Sequence, residues 1–576
     1  MTGGKATAIS CGALIAGASL VVLGALPYKV FDLDRYFVPK ELILHGTALI
    51  AVVAALTALK LSAATRGSRP DGMPLTRTDT LLVSFLALST ASAMLATNHW
   101  VAERSLAISA SGLGVFWAAQ SVAAAGRGSM LMVGLAVSVA LAAAVSLLQA
   151  YGVETEFFSL NRSPGGTLGN RNFVAHVAAI GLPTLLVVTL RARRALGVLM
   201  GALATAMVAT AIVLSRSRAA WVATAIAAVT AVPIVLRARR QTYRPGRSPA
   251  GPRHGAPGNE SIAGNLSGHV LALRSTLVGA AAVAGVCTAI ILPNTLNWRS
   301  QSPYLDSVLG VTNFRGGSGR GRLVQYTNTV KLALMHPVLG VGPGNWAIAY
   351  PRVASHNDPS LDPDDGMTAN PWPSSDWAAL LSERGVLGTL CIGLAFVGLF
   401  VTAWRTADAA VDSGRLDRLL LALALFTTGI ALVVVGMFDA VLLLPAPTLL
   451  GWCMIGVFSG LVTPQPPTRL TLPSEVRGVL VAAAVAVYGL AAARSLAQVA
   501  AMALYTSGSA SPISDTELEW AARLDPGSYR IRMKLAESLT DQGACTRARS
   551  QAIAARALYP SAPEPRRVLN ACGPAR

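Results

Sequence analysis

Apolar residues run in long blocks across the first 500 positions, broken by short polar and basic segments. Thirteen such blocks lie near 8–28, 42–60, 80–97, 105–124, 129–149, 173–190, 196–214, 219–236, 275–293, 377–404, 419–440, 445–462 and 478–500. Each is close to the ~20 residues that cross a bilayer core as a helix. The pattern predicts an all-α polytopic membrane protein, with a membrane domain over 1–500. The first block is too long, and lacks the cleavage-site context, for a signal peptide, and it reads as an anchor.

Composition supports this class. The 576 residues are 53% hydrophobic and 13% charged, too apolar for one soluble core. A net charge of +19 points at first to nucleic acid. The basic residues, however, fall in alternate loops: Lys60/Arg66/Arg69/Arg77, Arg127, Arg191/Arg193/Arg194, Arg237 to Arg253, and Arg405/Arg415/Arg418. The positive-inside rule places these loops and the N-terminus in the cytoplasm. An odd number of spans then puts the C-terminus outside. The stretch 237–272, rich in Pro, Gly, Ser and Arg, reads as a disordered basic cytoplasmic loop. The loop 294–376, roughly 80 residues, is long enough to carry a site on the outer face.

Residues 501–576 are polar and helical in pattern. Ala521–Pro526 recurs as Ala555–Pro560, 34 residues later, the tetratricopeptide period. A short helical hairpin capping the membrane domain is the competing reading; a docking tail for protein or glycan is the functional one. Cys11, Cys287, Cys391 and Cys453 fall in apolar blocks and read as small packing residues. Cys545 and Cys572 fall near one end of an expected hairpin, where an oxidising compartment permits a disulfide. No CxxC or clustered His accompanies them, so no zinc site is expected.

Four polar constellations belong to the outer face. Asn170, Arg171 and Asn172 follow a glycine-rich turn and open the block 173–190. Their side chains can cap the helix or bind sugar hydroxyls. Arg216 and Arg218 sit between two apolar blocks, where guanidinium forks can grip phosphate oxygens or snorkel beside Trp221. Arg320 and Arg322 follow a glycine run that lacks the Gly-Lys-Ser/Thr ending of a nucleotide loop, and lead into His336–Trp346. Last come His356-Asn357-Asp358, then Asp376 and Glu383. His356 can serve as a general base, as can either carboxylate if its pKa is raised, or His356 is an ordinary loop histidine.

These segments, in this order, resemble the O-antigen ligase and O-antigen polymerase superfamily. The resemblance rests on Gly169–Phe173, Ser217–Trp221, Arg322 ahead of His336–Gly342, and Glu383–Gly388, and covers about 160–460. It implies that Arg218 and Arg322, with Arg216 and Arg320 as neighbours, hold the diphosphate of an undecaprenyl-linked glycan. The family's histidine nine residues before the Glu is replaced here by Ser374. That leaves His356, 18 residues further upstream, as the favoured base and Asp376 or Glu383 as substitutes.

The implied reaction is metal-independent glycosyl transfer to an acceptor hydroxyl, with no cofactor. The only DxD-like run in the outer loops is Asp362-Pro363-Asp364-Asp365. The partners implied are the lipid-linked donor, a lipid A core, glycan or protein acceptor, and membrane lipids. A ligase is the first reading. A polymerase, a protein glycosyltransferase and a transporter of lipid-linked sugars are the alternatives. Against a transporter, the ionisable residues gather at the outer ends of the blocks, Asp439 among them, and the membrane part shows no convincing internal repeat.

Overall fold

The computed structural model describes residues 2–65, 73–74, 76–242, 268–298, 300–310, 317–363, 366–463, 469–470, 474–507 and 515–573. Most of the basic loop expected over 237–272 lies outside these residues, as do Asp364 and Asp365. Among the described residues the regular structure is helical, apart from one two-residue antiparallel pairing of Met73–Pro74 with Arg469–Leu470 and an isolated bridge between Leu361 and Thr368.

The first five helices are α1 (Gly3–Leu23), α2 (Asp34–Thr65), α3 (Arg77–Met94), α4 (His99–Val122) and α5 (Gly128–Ala150). Then come α6 (Arg171–Arg191), α7 (Ala195–Ser215), α8 (Arg218–Thr242) and α9 (Gly268–Ile291). The long loop 294–376, the expected outer loop, holds α10 (Pro303–Leu309), α11 (Gly317–Met335) and α12 (Trp346–Ala349). The membrane part closes with α13 (Asp376–Asp412), α14 (Leu416–Phe438), α15 (Pro445–Val462) and α16 (Ser474–Ser507). The tail forms α17 (Asp515–Leu524), α18 (Tyr529–Asp541), α19 (Cys545–Leu558) and α20 (Glu564–Ala571).

All thirteen expected spans lie on helices. Among the described residues, eleven helical segments are long and apolar enough to cross a membrane, with His99–Ala150 taken as one. That segment breaks at Gly126, whose φ of +83° needs a glycine, so α4 and α5 cross separately. The remaining helix, α3, falls short in apolarity because it carries Arg77, Asp79, Ser84, Ser89, Thr90 and Ser92. Its ends nevertheless reach opposite faces. The segment before it pairs with 469–470, and Asn98 just after it bonds Asn345 in the long outer loop.

Other loop contacts follow the same division. On one face, Arg171 stacks on Trp298, Arg216 bonds Ser307 and Thr295 bonds Ala150. On the other, Arg191 pairs with Asp417 and Arg237 with Asp408.

The core is centred on α15, whose crossing window is 89% buried, against 11% for the peripheral α9. Backbone approach drives this packing. A Cβ on Gly456 would lie 2.4 Å from the Phe116 carbonyl oxygen, so α15 and α4 touch through small residues, a common way for helices to pack in lipid. The tail docks on the face that carries the long outer loop. Phe31 and Val38 join its apolar core, Asn98 Nδ2 donates to the Leu558 carbonyl, and Gly527 lies against Trp100, where a Cβ would come within 2.8 Å. Cys545 and Cys572 are joined by a disulfide that ties the start of α19 to the end of α20, with Cα atoms 5.3 Å apart.

Candidate functional site

The site begins at the N-terminus of α6. Asn170 caps the helix through its side chain, which accepts the Asn172 N–H at 3.0 Å. Gly169 precedes it at φ +80°, with its α-carbon against the Tyr36 ring, where a Cβ would come within 2.4 Å. Asn170 is thus engaged by the backbone, while Arg171 and Asn172 project from the first turn. The free N–H groups and dipole of such a turn favour an anion nearby.

Arg216 closes α7 in the left-handed conformation (φ +54°), an uncommon state for a residue with a side chain. That bend turns the chain sharply into α8. Arg216 Nε donates to Ser307 Oγ at 2.8 Å, and Arg218 Nη1 donates to the Gly310 carbonyl. The guanidinium groups of Arg171 and Arg216 both stack on the Trp298 ring, at 5.0 and 4.8 Å from its centre. Two like charges are therefore held close without a carboxylate between them.

Beside them, α11 brings Arg322 and Tyr326 to the C-terminal end of α14. Arg322 makes no hydrogen bond or ion pair among the described residues, while Arg320 is exposed. Tyr326 Oη faces the carbonyls of Ser374 at 2.7 Å and Met437 at 3.0 Å. Burial pushes its phenol pKa up; the Arg322 charge pulls it back and Asp439 adds to the rise. Asp439 ends α14. Its Oδ1 accepts the Ala440 N–H at 2.9 Å, and its Oδ2 lies 3.4 Å from Asn172 Nδ2 and 3.7 Å from His176 Nε2. The side chain of Asp439 is 15% exposed, so one edge of the carboxylate stays open.

Asp376 and Glu383, two of the expected bases, are buried and bonded to backbone amides. Asp376 is 1% exposed and accepts the N–H groups of Val441 and Leu442, both at 2.9 Å. It caps the turn that follows Asp439. Glu383 is also 1% exposed and accepts Gly344 N–H at 2.8 Å and Trp346 N–H at 3.3 Å. Around it the segment 337–344 lies along a break in α13. Val341 and Gly342 donate to the Ser382 and Glu383 carbonyls, and Val386 donates to that of Pro337. Gly385 makes the break at φ +69°.

Arg384 is buried on Ser89, Ser105 and Ser109. Two of the segments that carry the family resemblance are thus halves of one structural lock. His356 stands on an exposed turn and has no hydrogen-bond or ion-pair partner among the described residues. Its neighbour Asp358 anchors that turn through Asn328, Tyr350 and the Ser360 N–H.

Residues 203–393 match the family model described as O-Antigen ligase. The match covers about a third of the chain and supports the O-antigen ligase superfamily. Comparison with curated proteins yields no match. The match supports glycan transfer of the ligase and polymerase type in general. Its matched segment contains Arg216, Arg218, Trp298, Arg322 and Tyr326. Asn172, His176 and Asp439 lie outside it, on α6 and at the end of α14, which pack against the domain.

The structure brings Arg171, Asn172, Arg216 and Arg322 to this region of one face, with Arg218 beside Gly310 next to it. It does not bring His356 to Asp439 by any contact. Sequence reading noted Asp439 only as a charge near a span end, and passed over His176 and Trp298. A histidine four residues after Asn172 on an apolar helix was the available signal for the first.

Proposed function

We propose that the protein transfers a glycan from a polyprenyl-diphosphate donor to an acceptor hydroxyl, on the periplasmic face of a bacterial inner membrane. The single observation that carries this reading is the partly open Asp439 carboxylate beside an unpaired Arg322, on a face where Arg171 and Arg216 converge. A carboxylate within reach of surplus positive charge suits a reaction in which a base takes a proton while an anion departs.

In this reading Asp439 accepts the proton of the acceptor hydroxyl. The hydroxyl oxygen forms a new bond to the anomeric carbon as the bond to the diphosphate oxygen breaks. Arg322, Arg216 and Arg171 hold the leaving diphosphate, whose charge grows as the bond breaks; fixed cations placed there act most strongly in the transition state. Asp439 replaces His356, Asp376 and Glu383 as base. His356 stands alone on its turn, and the two buried carboxylates are already taken up by backbone amides.

The disulfide of the tail fits an oxidising compartment, and the tail packs on the face that holds the site. A tetratricopeptide-like docking role for the tail, toward a protein or glycan acceptor, belongs to the same proposal.

The test is a deletion strain complemented with wild-type, Asp439→Asn or Arg322→Lys protein at matched membrane abundance. Loss of finished polymer from its acceptor, with lipid-linked polymer intact, identifies a ligase. Single lipid-linked repeat units alone identify a polymerase. Full complementation by Asp439→Asn would overturn the assignment of the base.

A further inference from the structure

His176 lies one turn below Asn172 on the same side of α6, and both side chains reach the same oxygen of Asp439. The imidazole is fully buried, and neither ring nitrogen has a hydrogen-bond partner among the described residues. A buried, unpartnered polar ring is costly, and an apolar side chain of similar size would fill the same space without that cost. Its Nε2 points at Oδ2 of Asp439 from 3.7 Å, slightly too far for a hydrogen bond. The charges of Asp439 and Arg322 both act on the ring, and Phe173 packs beside it.

We propose that His176 is a positioning residue for Asp439. In this arrangement the neutral imidazole turns its Nε2–H to Oδ2, and the Ala440 N–H holds Oδ1. The carboxylate is then fixed in one rotamer with its open edge toward the acceptor. The proton of the acceptor hydroxyl goes to Asp439, and the imidazole neither gains nor loses one. This inference rests on Asp439 being the base, and a few tenths of an ångström of closure completes the hydrogen bond. Misplacing a reacting group by small distances is expensive in rate, and that is the loss a positioning residue prevents.

The experiment uses the full-length protein in liposomes. The donor is polyprenyl-diphosphate-linked glycan extracted from the source cells, and their lipid extract supplies the acceptor. Rates are taken per folded molecule, with folding checked by thermal unfolding. His176→Leu should lower kcat between about tenfold and a hundredfold, with the donor KM almost unchanged. His176→Gln, which restores an N–H at the same reach, should recover most of the loss. Unchanged kcat in the Leu variant, a change in KM alone, or a Gln variant no better than Leu each overturns the proposal.

A second measurement is independent of activity. In protein labelled with ¹⁵N-histidine, the resonance lost in His176→Gln identifies the ring. That resonance should shift in Asp439→Asn; an unmoved resonance also overturns the contact. Asp439→Asn with full activity refutes the base assignment instead, even where the resonance shifts.

Discussion

Gly344 donates its N–H to the buried carboxylate of Glu383 across 2.8 Å, fastening the loop after α11 to the break in α13. Trp346 N–H reaches the other oxygen at 3.3 Å. The pair makes Glu383 an anchor for the loop that ends in the buried Trp346 and Tyr350. Glu383→Ala strips both amides of their acceptor, at about 1–3 kcal/mol for each group left unpaired. Thermal unfolding in detergent should show a clear loss of stability. Glu383→Gln keeps an acceptor oxygen and should retain more of the stability, with near-normal transfer per folded molecule. A Gln variant that is stable but inactive would return Glu383 to the chemistry.

Arg322 and Arg218 respond differently to lysine. Arg322 has no hydrogen bond or ion pair among the described residues, so Arg322→Lys should leave the unfolding temperature unchanged. Transfer should fall about tenfold or more, the equivalent of ~1.4 kcal/mol, because an ammonium lacks the fork that fits two phosphate oxygens. Arg218 is tied to the Gly310 carbonyl. Arg218→Lys should therefore lower both the rate and the unfolding temperature. The paired measurement of Tm and rate separates the two.

Trp298 holds two guanidinium groups at once. Trp298→Leu removes the shared ring face, and each cation–π contact at a partly exposed site is worth about 0.5–1 kcal/mol. Arg171 and Arg216 then splay apart, and donor KM should rise. Trp298→Phe keeps a ring face and should stand between the two. Equal KM values in wild-type and Leu variants would mean that the stack has no part in donor binding.

The Cys545–Cys572 bond closes a segment with a sequence separation of 27. In the chain-entropy model such a link contributes ~3 kcal/mol. Cys545→Ser or Cys572→Ser should lower the protease resistance of the tail, with little effect on the membrane domain. Non-reducing peptide mapping of the wild-type protein should recover the linked peptides. Free thiols at both positions would contradict the link.

The sequence by itself determined the helices and their crossings. Apolar blocks of bilayer length can satisfy their backbone only as helices, so the thirteen expected spans lie on helices. The cap at Asn170 was readable too, since it is a short polar side chain placed where helix N–H groups need an acceptor. The arginines at 171, 216 and 322 were visible as charges that lipid would reject.

Tertiary packing decided which groups meet. Glu383 and Asp376 read as candidate bases in the sequence, yet folding gives their oxygens to backbone amides 37 to 66 positions away: Gly344 and Trp346 for the first, Val441 and Leu442 for the second. Asp439 and His176 stand 263 positions apart, yet lie 3.7 Å from each other. Only the contact of α6 with the end of α14 joins them. Periodicity fixes which side of one helix a residue occupies. Which other helix it faces depends on how small residues let backbones approach, a property of the whole bundle.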